Sequence, residues 1–302
     1  MAQASAGKPE LLVVVGPTAS GKTALAMQLA EAHGGEIVTA DSVQVYRGFD
    51  IGSGKPSPTE RARVRHHLLD IAAPNENLDA ARWAELAAAS IEDIRSRGKL
   101  PIVCGGTFLW VRALIYGLAE APPASEEIRA RHRELAERDG RAALHAELAR
   151  VDPEAAQRLA PNDLVRVSRA LEVFELTNVP LSQWHAAHGF REAKYQARLL
   201  GVRRSKPELD ALIEHRVNDM LRAGWIEEVA ALSAAGYAES RAMGAVGYKQ
   251  IRQALAQPSL DRAELALSIT RVTRVFARRQ RTWLRDEPVE YLEPGTTSLT
   301  AL

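Results

Sequence analysis

An apolar run, Leu11-Leu12-Val13-Val14-Val15, breaks directly into Gly16-Pro17-Thr18-Ala19-Ser20-Gly21-Lys22-Thr23. Two glycines with four residues between them, followed by Lys and Thr, form a phosphate-binding loop when a strand precedes and a helix follows. That order commits the chain to an α/β fold. Successive N–H groups of the loop turn inward around a phosphate, and the next helix points the positive end of its dipole at it. Lys22 would set a point charge on the outer phosphate, and the Thr23 hydroxyl would ligate Mg²⁺. The loop alone leaves open which phosphate compound it takes.

Helical spacing continues over residues 23–33 and stops at Gly34-Gly35. Glu36-Ile37-Val38-Thr39-Ala40 reads as a second strand ending in Asp41-Ser42. Polar residues at the carboxyl end of a parallel strand face the ligand crevice, so Asp41 is a candidate base. Turn formation or capping accounts for an Asp at that place equally well. Residues 43–58 read as loop, interrupted by Gly48, Gly52, Gly54, Pro56 and Pro58. The basic segment at 61–67 ends in His66-His67; neighbouring side chains on a strand point to opposite sides, and no Cys or third His is near, so a solvated segment is expected rather than a metal site. Asp79 caps a helix expected over 80–97, Pro101-Ile102-Val103-Cys104 forms a third strand, and Gly105-Gly106-Thr107 brings backbone N–H groups and a hydroxyl to the crevice before a helix over 108–116.

After about residue 118 the pattern becomes almost wholly helical, entered through Pro122-Pro123. The expected organisation is a P-loop NTPase-like parallel sheet flanked by helices, built from residues 1–120 and 199–302, with an all-helical domain inserted at 121–198. Within the insertion, Asn162-Asp163 caps a helix that carries Arg166, Ser168 and Arg169, which are either phosphate contacts or a salt-bridged surface. The core resumes at Leu199-Leu200-Gly201-Val202, followed by helices over 207–221 and 225–235; Arg216 lies in the first, where its position alone says little. Further on, Arg271, Arg274, Arg278, Arg281 and Arg285 fall in steps of three and four, and Glu264 is the only acid between Arg262 and Arg285. Such a stripe calls for a phosphate ligand, a nucleic-acid backbone, or acids supplied from elsewhere in the fold. Phe276 and Trp283 are expected to pack into the core behind it.

A net charge of +1 supplies no global field for nucleic acid, so any such partner must meet a local patch. Cys104 is the only cysteine, which rules out an internal disulfide, and the apolar run before the loop is too short for a membrane span; a cytoplasmic location is expected. The strand at Pro101 ends in glycines where a nucleotide hydrolase wants an Asp for Mg²⁺. Group transfer from a phosphate-activated donor is therefore favoured over hydrolysis, with phosphoryl transfer and diphosphate departure both open.

Several segments match a known family together and in its order: the loop at 16–23, Asp41-Ser42-Val43-Gln44-Val45-Tyr46, Asp50-Ile51-Gly52 with Lys55-Pro56, Gly105-Gly106-Thr107, Ser168-Arg169-Ala170-Leu171-Glu172, Gly247-Tyr248-Lys249-Gln250 and Arg279-Gln280-Arg281-Thr282-Trp283. From about Leu11 to Leu284 the chain resembles the tRNA dimethylallyltransferases, also called tRNA isopentenyltransferases or IPP transferases. Without a Cys-rich finger near its C-terminus it looks like the compact bacterial form. The resemblance implies transfer of a dimethylallyl group from dimethylallyl diphosphate to N6 of the adenosine 3′ to the anticodon, in tRNAs reading codons that begin with U, with Mg²⁺ assisting. It implies that Gly16 to Thr23 hold a diphosphate, that Asp41 is the base, that Arg216 binds phosphate and that Thr107 lines the reaction channel. It further implies tRNA contacts from Asp41, Ser42, Val43 and Gln44, from Val165, Arg166, Val167, Ser168 and Arg169, and from Gly247, Tyr248 and Lys249. Arg274, Arg278 and Arg281 are expected to meet phosphate, either of the donor or of the RNA backbone. The insertion would grip the anticodon stem-loop; no membrane and no obligate protein partner are implied. The alternatives are a P-loop small-molecule kinase turning over ATP, an adenylate isopentenyltransferase, and a non-enzymatic RNA-binding or nucleotide-sensing module. Chain-elongating prenyl synthases are excluded, because no Asp-Asp-x-x-Asp cluster occurs.

Overall fold

The computed structural model describes residues 10–119, 121–189 and 193–295. The described residues up to Ile115 and from Lys194 onward form one compact unit, and those from Tyr116 to Ala193 form another.

The first unit opens with β1 (Glu10–Val15), α1 (Lys22–His33), β2 (Glu36–Ala40), α2 (Pro58–Arg63), β3 (His66–His67), α3 (Ala80–Ser96), β4 (Pro101–Gly105) and α4 (Phe108–Tyr116). The second unit holds α5 (Glu126–Arg138), α6 (Arg141–Val151), α7 (Pro153–Arg158), α8 (Leu164–Thr177) and α9 (Leu181–His188). The first unit then resumes with β5 (Gln196–Val202), α10 (Lys206–Arg222), α11 (Trp225–Leu232), α12 (Tyr248–Leu255), α13 (Arg262–Leu284) and β6 (Val289–Leu292).

The six strands form one parallel sheet in the order β3-β2-β4-β1-β5-β6. Strand β1 is buried along its length after Glu10, as a central parallel strand covered on both faces must be, and this is why it reads as an unbroken Leu/Val run without alternation. Val15 and Ala40 both register with Gly105 of β4. The chain therefore leaves β1, β2 and β4 at one common edge, which sets Gly16, Asp41 and Gly106 side by side. Gly105 has no substitute there, because a Cβ would lie 2.0 Å from the Ala40 carbonyl oxygen.

Two expectations need correction. The segment at 61–67 is not merely solvated: Ser57 caps α2 in a reciprocal pair with Glu60, and His66 and His67 form a short strand against Ile37 and Val38. His67 Nε2 lies 2.7 Å from a carboxylate oxygen of Glu36, which also accepts from Arg97 and Lys99. The sheet resumes at Gln196, inside the span 121–198 assigned to the insertion. Gln196, Ala197 and Arg198 pair with Glu10, Leu11 and Leu12; an exposed Gln and a half-buried Ala and Arg gave no apolar run to mark the strand start.

The helical unit packs around Leu144, Leu148, Val167, Ala170 and Leu171. Glu172 is fully buried and accepts hydrogen bonds from Arg129, Arg169 and the Ser125 N–H. A buried carboxylate persists only when its lone pairs are satisfied in this way.

Candidate active site

The crevice at the sheet edge is a cavity of about 320 Å³ within the first unit. One end is polar and is built by the glycine loop. Ala19 (φ 63°) and Gly21 (φ 96°) take left-handed backbone that wraps the loop, and a Cβ on Gly16 would meet the Ser20 Oγ at 2.6 Å. Helix α1 starts at Lys22 with no side-chain cap, so its first N–H groups are open to an anion. Two loop amides are already committed within the protein: Ser20 N–H donates to the Pro17 carbonyl (3.3 Å), and Thr18 N–H donates to Gln280 Oε1 (2.9 Å).

Lys22, Thr23, Asp41, Thr107 and Arg216 all line this cavity. Burial pulls the Lys22 ammonium below its usual range; nearby Arg216 adds to this, while Asp41 opposes it. Burial also lowers Arg216, against the pull of Asp41. Cys104 is pushed up to about 11 by burial, so it is a neutral thiol in the wall. Two desolvated cations facing one carboxylate leave an excess of positive charge, which a phosphate-bearing ligand would balance. Among the described residues no cluster of three His, Cys, Asp or Glu can hold a metal. Thr23 is a fitting hydroxyl ligand for Mg²⁺ nonetheless, since that ion is often bound by few protein groups and completed by water and phosphate oxygens.

The turn-forming reading of Asp41 is met directly. Its Oδ1 accepts from Val43 N–H (2.9 Å) and Gln44 N–H (3.2 Å), which forms the turn. Its Oδ2 accepts no hydrogen bond among the described residues. Thr107 Oγ1 accepts from the neighbouring Ser42 N–H (3.1 Å).

The loop over 43–56 is pinned rather than loose. Gln44 Nε2 donates to the carbonyls of Ser53 and Gly54, each at 3.1 Å. Glu228 on α11 accepts from the N–H groups of Asp50, Ile51 and Gly52. Lys55 reaches the Tyr46 carbonyl, Asp50 and Asp70. The far wall of the cavity is apolar, supplied by Ile213, Val217 and Met220 of α10, Trp225, Val246 and Phe276. Phe276 is thus a wall residue, 39% exposed, and not the core residue expected from its spacing. Trp283 is likewise 40% exposed, with the Arg112 guanidinium 5.9 Å from its ring centroid.

The arginine stripe opens onto a second cavity of about 660 Å³ that also meets Arg203, Arg204 and Lys206. Arg274 is partly neutralised there, bonded to Glu214 at 2.8 Å and to the Asp210 carbonyl at 3.1 Å. Arg278, Arg281 and Arg285 are exposed and form no ion pair among the described residues. Pro17 touches this groove from the outside of the glycine loop, whereas Thr18, Lys22 and Thr23 face the first cavity.

Other expected contacts are arranged differently. Val167 is in the helical core, Ser168 is buried with its hydroxyl on His132 Nδ1 (2.9 Å), and Arg169 is committed to Glu172 and to the Pro122 carbonyl. Only Val165, 79% exposed, and Arg166 present side chains outward from that helix turn. Gly247 and Tyr248 are buried, and Lys249 alone of that triplet is exposed. Glu228, Trp225 and Gln280 were missed as site residues. Gln280 carried a faint signal, as an uncharged amide among arginines; Glu228 carried none.

A glycine loop after the central strand of a parallel sheet, opening on a cavity with two desolvated cations, defines a P-loop-type α/β protein with a crevice whose charge suits an anion. The IPP transferase family model matches residues 44–287, and the chain belongs to that family. It is 62% identical over 283 residues to the tRNA dimethylallyltransferase of Sorangium cellulosum, covering 94% of this chain and 90% of that one. A tRNA Δ(2)-isopentenylpyrophosphate transferase from Staphylococcus epidermidis is similar in structure, with TM-score 0.67 and 34% identity over 95% of this chain and 93% of that one. A eukaryotic dimethylallyltransferase captured acting on tRNA gives TM-score 0.77 and 25% identity over 94% of this chain and 74% of that one.

Proposed function

We propose that this protein is a tRNA-modifying prenyltransferase that moves a dimethylallyl group from dimethylallyl diphosphate to N6 of the adenosine 3′ to the anticodon, in tRNAs reading codons that begin with U. The observation that carries this reading is the meeting, in one cavity of an IPP transferase, of Lys22 and Arg216 with Asp41 and an apolar wall. The polar end suits the diphosphate and the wall suits the five-carbon chain.

The adenine amine is a weak nucleophile whose protons become acidic as its bond to carbon forms. N6 attacks C1 of the allyl group, the C1–O bond to diphosphate breaks, and the N6 proton passes to Asp41 Oδ2. Charge gathering on the departing diphosphate is met by the α1 N-terminus, Lys22 and Arg216; loss of one such donor costs about 100- to 1000-fold in rate. Mg²⁺, held through Thr23, would supply further charge neutralisation to the diphosphate. Thr107 stands beside Asp41 on the path of the incoming base.

An adenine in an anticodon loop must leave its stack to reach such a cavity. The stripe groove shares no lining residue with the diphosphate cavity, which favours RNA backbone over donor phosphate as the partner of Arg278 and Arg281. Val165 and Arg166 would add contacts from the helical unit. No helix among the described residues is long and apolar enough to cross a membrane. A tRNA acceptor would suit a cytoplasmic location.

The test is to incubate the protein with Mg²⁺, either unmodified tRNA or adenosine monophosphate, and either dimethylallyl diphosphate or ATP, then to weigh the digested nucleosides. A prenyl mass gain on tRNA with the first donor alone is expected. A phosphorylated product would point to a kinase, and a gain on the free nucleotide to an adenylate isopentenyltransferase.

A further inference from the structure

Gln280 projects from α13 into the gap between the glycine loop and the loop after β4. Its side chain is 6% exposed and both ends of its carboxamide are used: Oε1 accepts the Thr18 N–H at 2.9 Å, and Nε2 donates to the Gly106 carbonyl at 3.0 Å. Gly106 is shaped for this contact, since a Cβ there would stand 2.5 Å from Gln280 Nε2. The chain of bonds continues from Gly106 to Thr107, whose Oγ1 holds the Ser42 N–H beside Asp41. A single amide thus ties the diphosphate cradle to the edge that carries the base.

From this geometry we infer that Gln280 is a positioning residue, setting the register of the leaving group against the acceptor and Asp41; the inference rests on the prenyl transfer proposed above. Its Thr18 bond holds one loop amide turned away from the ligand, and its Gly106 bond fixes how far Thr107 stands from the cradle. A side chain of similar length without donor or acceptor leaves the cavity lined but frees both loops. Misplacement of reacting groups by about 1 Å costs on the order of 100-fold in rate without a matching loss of binding. Arg278 and Arg281 line the outer groove, so the same helix presents cations to one side and this amide to the other.

The test compares wild type with Gln280→Met by steady-state prenylation of tRNA and by calorimetric titration with inorganic diphosphate and Mg²⁺. Expected for Gln280→Met are a kcat lower by about 100-fold and a donor KM and a diphosphate affinity each within about threefold of wild type. Gln280→Glu keeps an acceptor for Thr18 but cannot donate to Gly106, so it is expected not to restore kcat. A Gln280→Met enzyme with kcat within about twofold of wild type overturns the inference, as does a rate loss matched by an equal loss of diphosphate affinity. Should Gln280→Met fail to fold, Gly106→Ala decides, because its methyl displaces the amide while the glutamine stays: the same kcat loss with diphosphate affinity kept is expected, and an unchanged kcat overturns the role. A wild-type protein that forms no prenyl product overturns the transfer itself, whereas an active wild type beside an equally active Gln280→Met overturns only the role of Gln280.

Discussion

Tyr248 donates its phenol hydrogen to Glu228 Oε1 at 2.6 Å and accepts the Ser53 N–H at 3.0 Å. Burial, reinforced by the Glu228 charge, pushes the phenol well above the usual tyrosine range, so it stays a donor at every working pH. Glu228 in turn holds three successive N–H groups of the loop at 50–52. Replacing Tyr248 by Phe strands the half-buried Ser53 N–H and removes one hydrogen bond from the carboxylate. Tyr248→Phe is expected to cost ~1–3 kcal/mol in urea unfolding, with faster amide exchange over 50–54 than elsewhere in the fold.

Glu36 is the hub of the opposite end of β2. Its bonds to Arg97, which dominate over the opposing effect of burial, and to Lys99 and His67 hold its carboxyl far below the usual glutamate range. A depressed folded value means that the stabilisation is complete above the unfolded glutamate value of about 4.3 and is lost as pH falls below it toward the folded value. Wild type is therefore expected to lose melting temperature steeply below about pH 4, and Glu36→Gln to show a flatter profile in that window. At neutral pH the variant is expected to be less stable by ~1–3 kcal/mol, since it leaves Arg97 and Lys99 without their carboxylate.

In the proposed transfer Asp41 would divide turn and base between its two oxygen atoms. Asparagine can still accept at Oδ1 from Val43 and Gln44, but it cannot take a proton at the other end. Asp41→Asn is expected to retain stability within about 0.5 kcal/mol while lowering kcat by about 100- to 10,000-fold. Asp41→Ala should add a stability loss of ~1 kcal/mol from the missing turn. Denaturation curves run beside single-turnover rates on both variants check this; an Asp41→Asn enzyme with wild-type turnover would remove the base from the scheme.

What the sequence made legible was local. The glycine loop announces itself because eight consecutive residues carry the whole geometry, and Asp41 because the end of a short β-branched run marks a strand edge. The Thr18–Gln280 bond, by contrast, joins residues 262 positions apart, and no local pattern encodes it. The spacing of the arginine stripe was visible, yet the acids that quiet Arg274 lie on α10, so the contrast between Arg274 and Arg278, Arg281 and Arg285, which form no ion pair among the described residues, needed the fold. Ser168 misled for the same reason: a hydroxyl between two arginines suggests a surface, but His132 from α5 draws it inside. Phe276 misled through periodicity, which marks an inward face without telling a core from a cavity wall.

Trp225 is clamped between two glycines. A Cβ on Gly52 would stand 1.8 Å from its Nε1, and one on Gly247 would stand 1.9 Å from its Cη2. The clamp leaves the indole N–H buried without an acceptor among the described residues, a cost accepted for a closed apolar wall. The two glycines are expected to behave differently when the indole is removed. Gly52→Ala should destabilise wild type by ~1–3 kcal/mol through overpacking alone, and a Trp225→Leu background should make it nearly neutral. Gly247 also has φ 88°, which disfavours any Cβ whatever its surroundings. Gly247→Ala should therefore keep a penalty of about 1 kcal/mol in the Trp225→Leu background. Urea unfolding of the two double-mutant cycles reads the difference directly: full rescue of Gly247→Ala, or none of Gly52→Ala, would contradict the assignment of steric contact to one glycine and of contact plus backbone strain to the other.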